Sequence, residues 1–226
     1  MSFRLQRPDR YHYKAGQFAL LRLRTAAGPD FRPLSIASAP HEDYLEFSTR
    51  VGASAFKTKL MSLMPGDVVK VLRPLGSLPL DRDRPAVFVA GGIGVTPLRS
   101  LLLDALDGGF THPIRMLYSN KSVDEIAYRI ELERLTARHE NLDITWALTT
   151  SRDVPDLPTV HNGRIDEDLL RRQVEELPES TFYLTGPSAM VVQMTETLSA
   201  LGVTKKRIRR SLQTLPIDRK RQAPNG

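Results

Sequence analysis

The sequence predicts two domains of different class, an antiparallel β-barrel over residues 1–84 and an α/β domain with a doubly wound parallel sheet over residues 85–203, followed by a basic tail, 204–226. Three observations carry that prediction. From Phe18 to Arg73 apolar and polar residues alternate with a period close to two, as in strands with one buried and one wet face. After Pro85 short apolar runs alternate with segments of helical periodicity, the pattern of parallel strands joined by crossover helices. Between the two patterns the polar run Asp81-Arg82-Asp83-Arg84 marks a boundary, and 226 residues is ample for two compact domains.

In the first domain, strands are expected around 18–23 and 34–37. A third follows where Leu45, Phe47, Thr49 and Val51 alternate with Tyr44, Glu46, Ser48 and Arg50. A helix is expected over 55–63, and the turn Pro65-Gly66-Asp67 launches a last strand over 68–72. In the second domain the apolar run Ala86-Val87-Phe88-Val89-Ala90 leads through a glycine turn into a helix marked by Leu98, Leu101, Leu102, Ala105 and Leu106. Strand 114–118, helix 124–138, strand 142–148, helix 166–177, strand 181–184 and helix 188–201 follow.

Composition narrows the chemistry. The chain has no cysteine, which excludes disulfides, thiolate zinc, iron–sulfur clusters and a catalytic thiol. His12, His41, His112, His139 and His161 show no metal-ligand spacing, so no metal is expected. No apolar run approaches the roughly 20 residues of a membrane span and no leader is visible, so a cytoplasmic protein is expected. The net charge of +6 is unevenly spread: +6 over residues 1–84, −7 over 85–203 and +7 over 204–226. The tail's basic cluster contains no aromatic residue for base stacking, which argues for acidic partners over nucleic acid.

Four segments carry candidate chemistry. Gly91-Gly92-Ile93-Gly94 ends a buried strand, with Thr96 expected as N-cap and Pro97 at the first helical position. Such a turn either brings a pyrophosphate onto backbone N–H groups at a helix N-terminus or uses glycine for packing alone. Thr185-Gly186-Pro187 breaks the last strand at the carboxyl edge of the sheet, where ligands bind in this architecture. In the helix beyond it, Met190 is a candidate ligand contact that also fits the core face with Met194 and Leu198. Arg32-Pro33-Leu34-Ser35 joins a cation and a hydroxyl to a strand. Ser54, Phe56, Lys57 and Thr58 sit at a helix start, and both segments suit a phosphate.

In this order the four segments resemble those of the ferredoxin-NADP reductase superfamily, the flavin reductase-like FAD/NAD(P)-binding oxidoreductases, from about Tyr13 to Val203. The resemblance implies a flavin-dependent oxidoreductase that takes hydride from NADPH or NADH onto FAD and passes electrons to a separate acceptor, such as a ferredoxin, flavodoxin, haem protein or small molecule. Arg32, Ser54, Lys57 and Thr58 would hold the flavin phosphate. Leu34 would face the ring, and Ser35 would lie near its reactive nitrogen. Gly91, Gly92, Gly94, Thr96 and Pro97 would form the nicotinamide-nucleotide loop, with Thr185, Gly186 and Pro187 beside the nicotinamide and Ser151-Arg152 positioned to grip a 2′-phosphate.

The departures are specific. Leu34 replaces an aromatic and Thr185 a cysteine, and no acidic residue with a terminal aromatic closes the chain. Relatives carry a barrel strand ahead of Phe3-Arg4-Leu5, so an open barrel edge is expected, covered by a second copy, a partner or another segment. Two other readings remain: a reductase using free flavin as substrate, and a catalytically weak nucleotide-binding subunit of an electron-transfer complex.

Overall fold

The computed structural model describes residues 1–150, 157 and 159–211. The first domain contains β1 (Ser2–Gln6), β2 (Phe18–Thr25), β3 (Gly28–Ser35), β4 (Tyr44–Ser48), α1 (Ala55–Met61) and β5 (Lys70–Val71). The strands form a three-stranded antiparallel sheet, β3-β2-β5, and a separate antiparallel pair, β1-β4. Both lie against one core containing Leu21, Leu23, Leu45, Phe47, Phe56 and Leu60. Alternation along β2 accounts for its inward face: Ala19, Leu21 and Leu23 are buried while Arg22 and Arg24 are exposed.

The strand expected at 34–37 begins earlier, at Gly28. Pro29 and Pro33 mask it in the sequence, and they are tolerated because β3 lies at the edge of its sheet. Among the described residues β1 pairs only with β4, which leaves its other edge without a strand partner.

The second domain runs β6 (Ala86–Gly91), α2 (Val95–Asp107), β7 (Ile114–Asn120), α3 (Arg129–Arg138), β8 (Leu142–Leu148), β9 (Val160–Asn162), α4 (Glu167–Glu176), β10 (Thr181–Thr185), α5 (Ser188–Ala200) and β11 (Ile208–Arg210). All six strands are parallel, in the order β11-β10-β6-β7-β8-β9. Leu98, Leu101 and Leu102 of α2 and Leu132 of α3 join Phe88, Met116 and Trp146 in the core on one face. Leu169 and Leu170 of α4 and Met194 and Leu198 of α5 join Val87, Val89 and Phe182 in the core on the other. Burial on both faces explains why β6 reads as a continuous apolar run and β10 as Phe182-Tyr183-Leu184 between two buried threonines.

Two expectations need correction. The helix expected from 124 starts at Arg129, because Tyr128 adopts a left-handed conformation (φ +62°) after a short 3₁₀ turn, Val123–Glu125. The segment from 204 does not begin as a free tail. Ile208 is buried against β10, Arg209 pairs with Asp81 at 3.5 Å and stands over the Tyr183 ring, and β11 thereby adds a sixth strand to the sheet. No helix among the described residues is long and apolar enough to cross a membrane.

Candidate functional site

The strand order dictates where a ligand can sit. From β6 the chain moves outward through β7, β8 and β9, then returns to place β10 on the opposite side of β6. That reversal leaves a crevice beyond the carboxyl ends of β6 and β10, the usual ligand position in an open parallel sheet. Gly91 and Thr185 end those two strands, and both line the crevice.

The first domain closes the crevice into a cavity of about 360 Å³. Pro33, Leu34, Ser35 and Arg50 line one side, and Gly94, Thr96, Pro97 and Thr185 the other. A second cavity of about 360 Å³ adjoins it, sharing Arg50, Gly91 and Pro187, and contains Asn120, Lys121, Arg164 and Met190. Met190 therefore has both roles: it packs beside the core of α5 and faces this cavity.

Glycine in these loops answers a need for close approach. A β-carbon on Gly94 would stand 2.5 Å from the Gly186 α-carbon, so the two strand-to-helix loops touch through backbone. Gly92 is left-handed (φ +53°), and a β-carbon there would lie 2.5 Å from Nη2 of Arg50. The Tyr118 hydroxyl fixes this loop by donating to the Gly92 carbonyl at 3.0 Å. Burial pushes the Tyr118 pKa above its ordinary value, which keeps the donated proton in place.

Among the described residues the buried Oγ1 of Thr185, on the cavity wall, has no hydrogen-bond partner. Leaving such a group unpaired costs on the order of 1–3 kcal/mol. A polar ligand in the cavity would supply what the fold withholds.

Several expected roles change. Thr96 is not the N-cap: a 3₁₀ turn, Gly92–Gly94, runs directly into α2, so Gly94 precedes the helix and the Thr96 hydroxyl donates back to the Ile93 carbonyl at 3.1 Å. Pro97 is accordingly the third helical residue, still within the turn where its missing N–H leaves no bond unmade.

Arg32 does not line the cavity. Its guanidinium pairs with Asp30 and stands 5.6 Å from the Phe56 ring centroid. Phe56 itself is 2% exposed and belongs to the core, so its side chain is packing, not a ligand contact. Ser54 caps α1 by accepting from the Lys57 N–H at 3.4 Å, and the Lys57 side chain folds over Gly52. Arg32, Ser54, Lys57 and Thr58 thus gather at the α1 corner, apart from the residues lining the central cavity. Ser151 and Arg152 lie outside the described residues.

Arg50 and Asn120 are absent from the residues expected from sequence. Asn120 was findable as the last residue of β7, at the carboxyl edge beside the central strand. Arg50 had no such signal, being one exposed cation after a strand.

Residues 88–196 match the profile of the oxidoreductase NAD-binding domain. The chain is 29% identical over 195 residues to the ferredoxin–NAD(P)(+) reductase component of the naphthalene 1,2-dioxygenase/salicylate 5-hydroxylase systems of a Ralstonia species, covering 84% of this chain and 57% of that one. It is 35% identical over 160 residues to ferredoxin–NADP reductase B of Sorangium cellulosum, covering 69% of this chain and 64% of the relative. The chain belongs to the ferredoxin reductase-like FAD/NAD(P)-binding oxidoreductases.

Within that family the fold is shared at long range. The ferredoxin NADP+ reductase of Neisseria gonorrhoeae, solved with bound FAD and NADP, superposes with a TM-score of 0.79 at 22% identity, covering 92% of this chain and 90% of that one. The chain spans from about half to about three quarters of the length of the curated relatives it matches, 47% to 73%.

Proposed function

We propose that this chain is an NAD(P)H-dependent flavoprotein reductase delivering electrons to a separate acceptor, a ferredoxin, flavodoxin, haem protein or small molecule. The observation that carries the reading is the cavity at the strand-order reversal, walled by Leu34 and Ser35 on one side and by Gly94 and the unpartnered Thr185 hydroxyl on the other. A bound FAD would supply the chemistry, accepting hydride from NADPH or NADH and releasing electrons singly or as a pair.

The chain's own contribution is alignment and exclusion of water. Leu34 provides an apolar wall, while Ser35 and Thr185 bring hydroxyls to opposite sides of the cavity. Arg32 and Lys57, with Ser54 and Thr58, provide the cations and hydroxyls for a flavin phosphate. Arg50 stands at the Gly92 turn, where it would meet the phosphates of a dinucleotide, and Asn120 and Lys121 line the adjoining cavity for the rest of it. The edge of β1 left unpaired among the described residues is a seam for a strand from a partner or a second copy.

A second reading, reduction of free flavin, draws on two observations. Leu34 offers no ring for stacking, and Arg32 already spends Nη1 on Asp30, whose negative charge would oppose a phosphate there. One experiment addresses both readings: the purified chain is mixed with FAD, passed through gel filtration, and treated anaerobically with NADPH or NADH. Retained flavin absorbance that bleaches supports the flavoprotein, and bleaching without retention supports the free-flavin reductase. Absence of bleaching with either nucleotide overturns both.

A further inference from the structure

Two adjacent residues of α2 tie the opposite walls of the central cavity together. We propose that Arg99 and Ser100 are positioning residues for hydride transfer, fixing the spacing of the two walls, an inference that rests on the reductase reading above.

The tie lies close to the site on both sides. The Arg99 guanidinium donates through Nη1 to the Ala37 carbonyl at 2.7 Å, and the Ser100 hydroxyl donates to the Ser38 carbonyl at 2.6 Å. Ala37 follows Ser35 by two residues, and Arg99 follows Pro97 by two. Consecutive residues of one wall's helix therefore grip consecutive carbonyls of the segment that continues the other wall.

Both ends of the tie are held by further hydrogen bonds. Arg99 is 1% exposed, and its Nε and Nη2 engage both carboxylate oxygens of Glu131 on α3 at 2.6 Å each. Nη1 also approaches Glu42 at 3.3 Å, and the guanidinium stands 5.0 Å from the Tyr128 ring centroid. On the barrel side, the Ser38 hydroxyl accepts from the Glu46 N–H at 3.0 Å and lies 2.9 Å from the Tyr13 hydroxyl, which also donates to Ala39 at 2.7 Å.

A buried ion cluster is a poor way to add stability, since apolar residues of similar volume commonly do as well. It is a good way to fix direction, because a planar guanidinium forms its bonds only in one orientation. Hydride transfer requires such precision: a misplacement of about 1 Å costs on the order of 100-fold in rate.

The test compares the parent chain with Arg99→Lys and Ser100→Ala in two assays. In the ligand-free proteins, amide hydrogen exchange over residues 35–38 and 94–98 is expected to rise at least tenfold while the thermal midpoint stays within a few degrees. In the FAD-loaded proteins, the rate of anaerobic flavin reduction is expected to fall about 10- to 100-fold, with KM for the nucleotide within about twofold and FAD affinity within about threefold of the parent. Unchanged exchange at both walls overturns the proposal, as does a reduction rate that falls only in proportion to bound flavin. Should Arg99→Lys fail to fold, Ser100→Ala, which removes one bond and no charge, decides the matter by the same criteria. If the parent neither binds nor reduces flavin, the reductase reading is what fails, and the exchange assay still decides whether the walls are coupled.

Discussion

The α-carbon of Gly186 lies 2.5 Å from the point where a β-carbon on Gly94 would stand. Two loops that end different strands are thus in backbone contact at the floor of the cavity. Gly94→Ala is expected to force them apart, destabilising the chain by about 1–3 kcal/mol as overpacking does. It should also raise KM for NAD(P)H sharply, since Gly94 and Gly186 both line the cavity. Chemical denaturation and steady-state kinetics check the two effects; a variant with parental stability and KM would mean that the loops can separate freely.

Thr185 should separate stability from activity. Its hydroxyl is buried without a partner, so Thr185→Val removes an unmet polar group at nearly constant volume. The ligand-free variant is expected to be as stable as the parent or more so, by up to about 1 kcal/mol. Flavin reduction by NAD(P)H should nevertheless slow about tenfold or more, as expected on removing a hydrogen bond made during the reaction. Thermal midpoint and stopped-flow reduction, measured on one preparation, decide it.

Arg50 lines both central cavities and reaches the Gly92 turn from the other domain. Arg50→Gln removes the charge but keeps most of the reach. A charge-assisted hydrogen bond contributes about 1.5–3 kcal/mol, so KM for the dinucleotide should rise roughly 10- to 100-fold. The salt dependence of KM should also flatten. A KM that does not move would show that Arg50 is a bystander.

Glu42 gives a pH dependence with a definite sign. Burial alone pushes its pKa up, but hydrogen bonds from the Tyr44 hydroxyl and the Ala39 N–H, with the Arg99 charge and its hydrogen bond, bring it below its ordinary value of 4.5. A carboxylate whose folded pKa is depressed contributes stability that is fully present above the unfolded pKa and is lost as pH falls through the folded one. Denaturation midpoints should therefore drop below about pH 4.5, and Glu42→Gln should flatten that acid limb while lowering stability at neutral pH.

Leu34→Tyr should tighten flavin binding. Aromatic pairing adds about 0.5–1.5 kcal/mol beyond area burial, which predicts a gain of roughly 2- to 10-fold in FAD affinity by fluorescence titration. An unchanged affinity would place the ring elsewhere than against Leu34.

The sheet and its helices were legible because burial on both faces writes strands as apolar runs, as in Ala86–Gly91 and in Phe182-Tyr183-Leu184 of β10. β9 and β11, three residues each, fell below that signal, and β11 was hidden inside a basic cluster where Ile208 is the buried residue. The glycine loops were legible as loops, but only coordinates show that Gly94 is needed by Gly186. The pairing of Arg32 with Asp30 was readable in principle, since residues two apart on a strand share a face. Arg50 was not readable, because its importance comes from reaching across to a loop some forty residues later.

The pairing of β10 with β6 joins Thr181 to Ala86 and Thr185 to Ala90, across roughly ninety-five residues of intervening chain. Such a pairing is entropically expensive to close and forms slowly compared with local helices and hairpins. The cavity floor needs both strands, so it exists only after that closure. The pocket is therefore expected to be completed after the more local β6-β7-β8 ladder, and those three strands alone would offer no place for a dinucleotide.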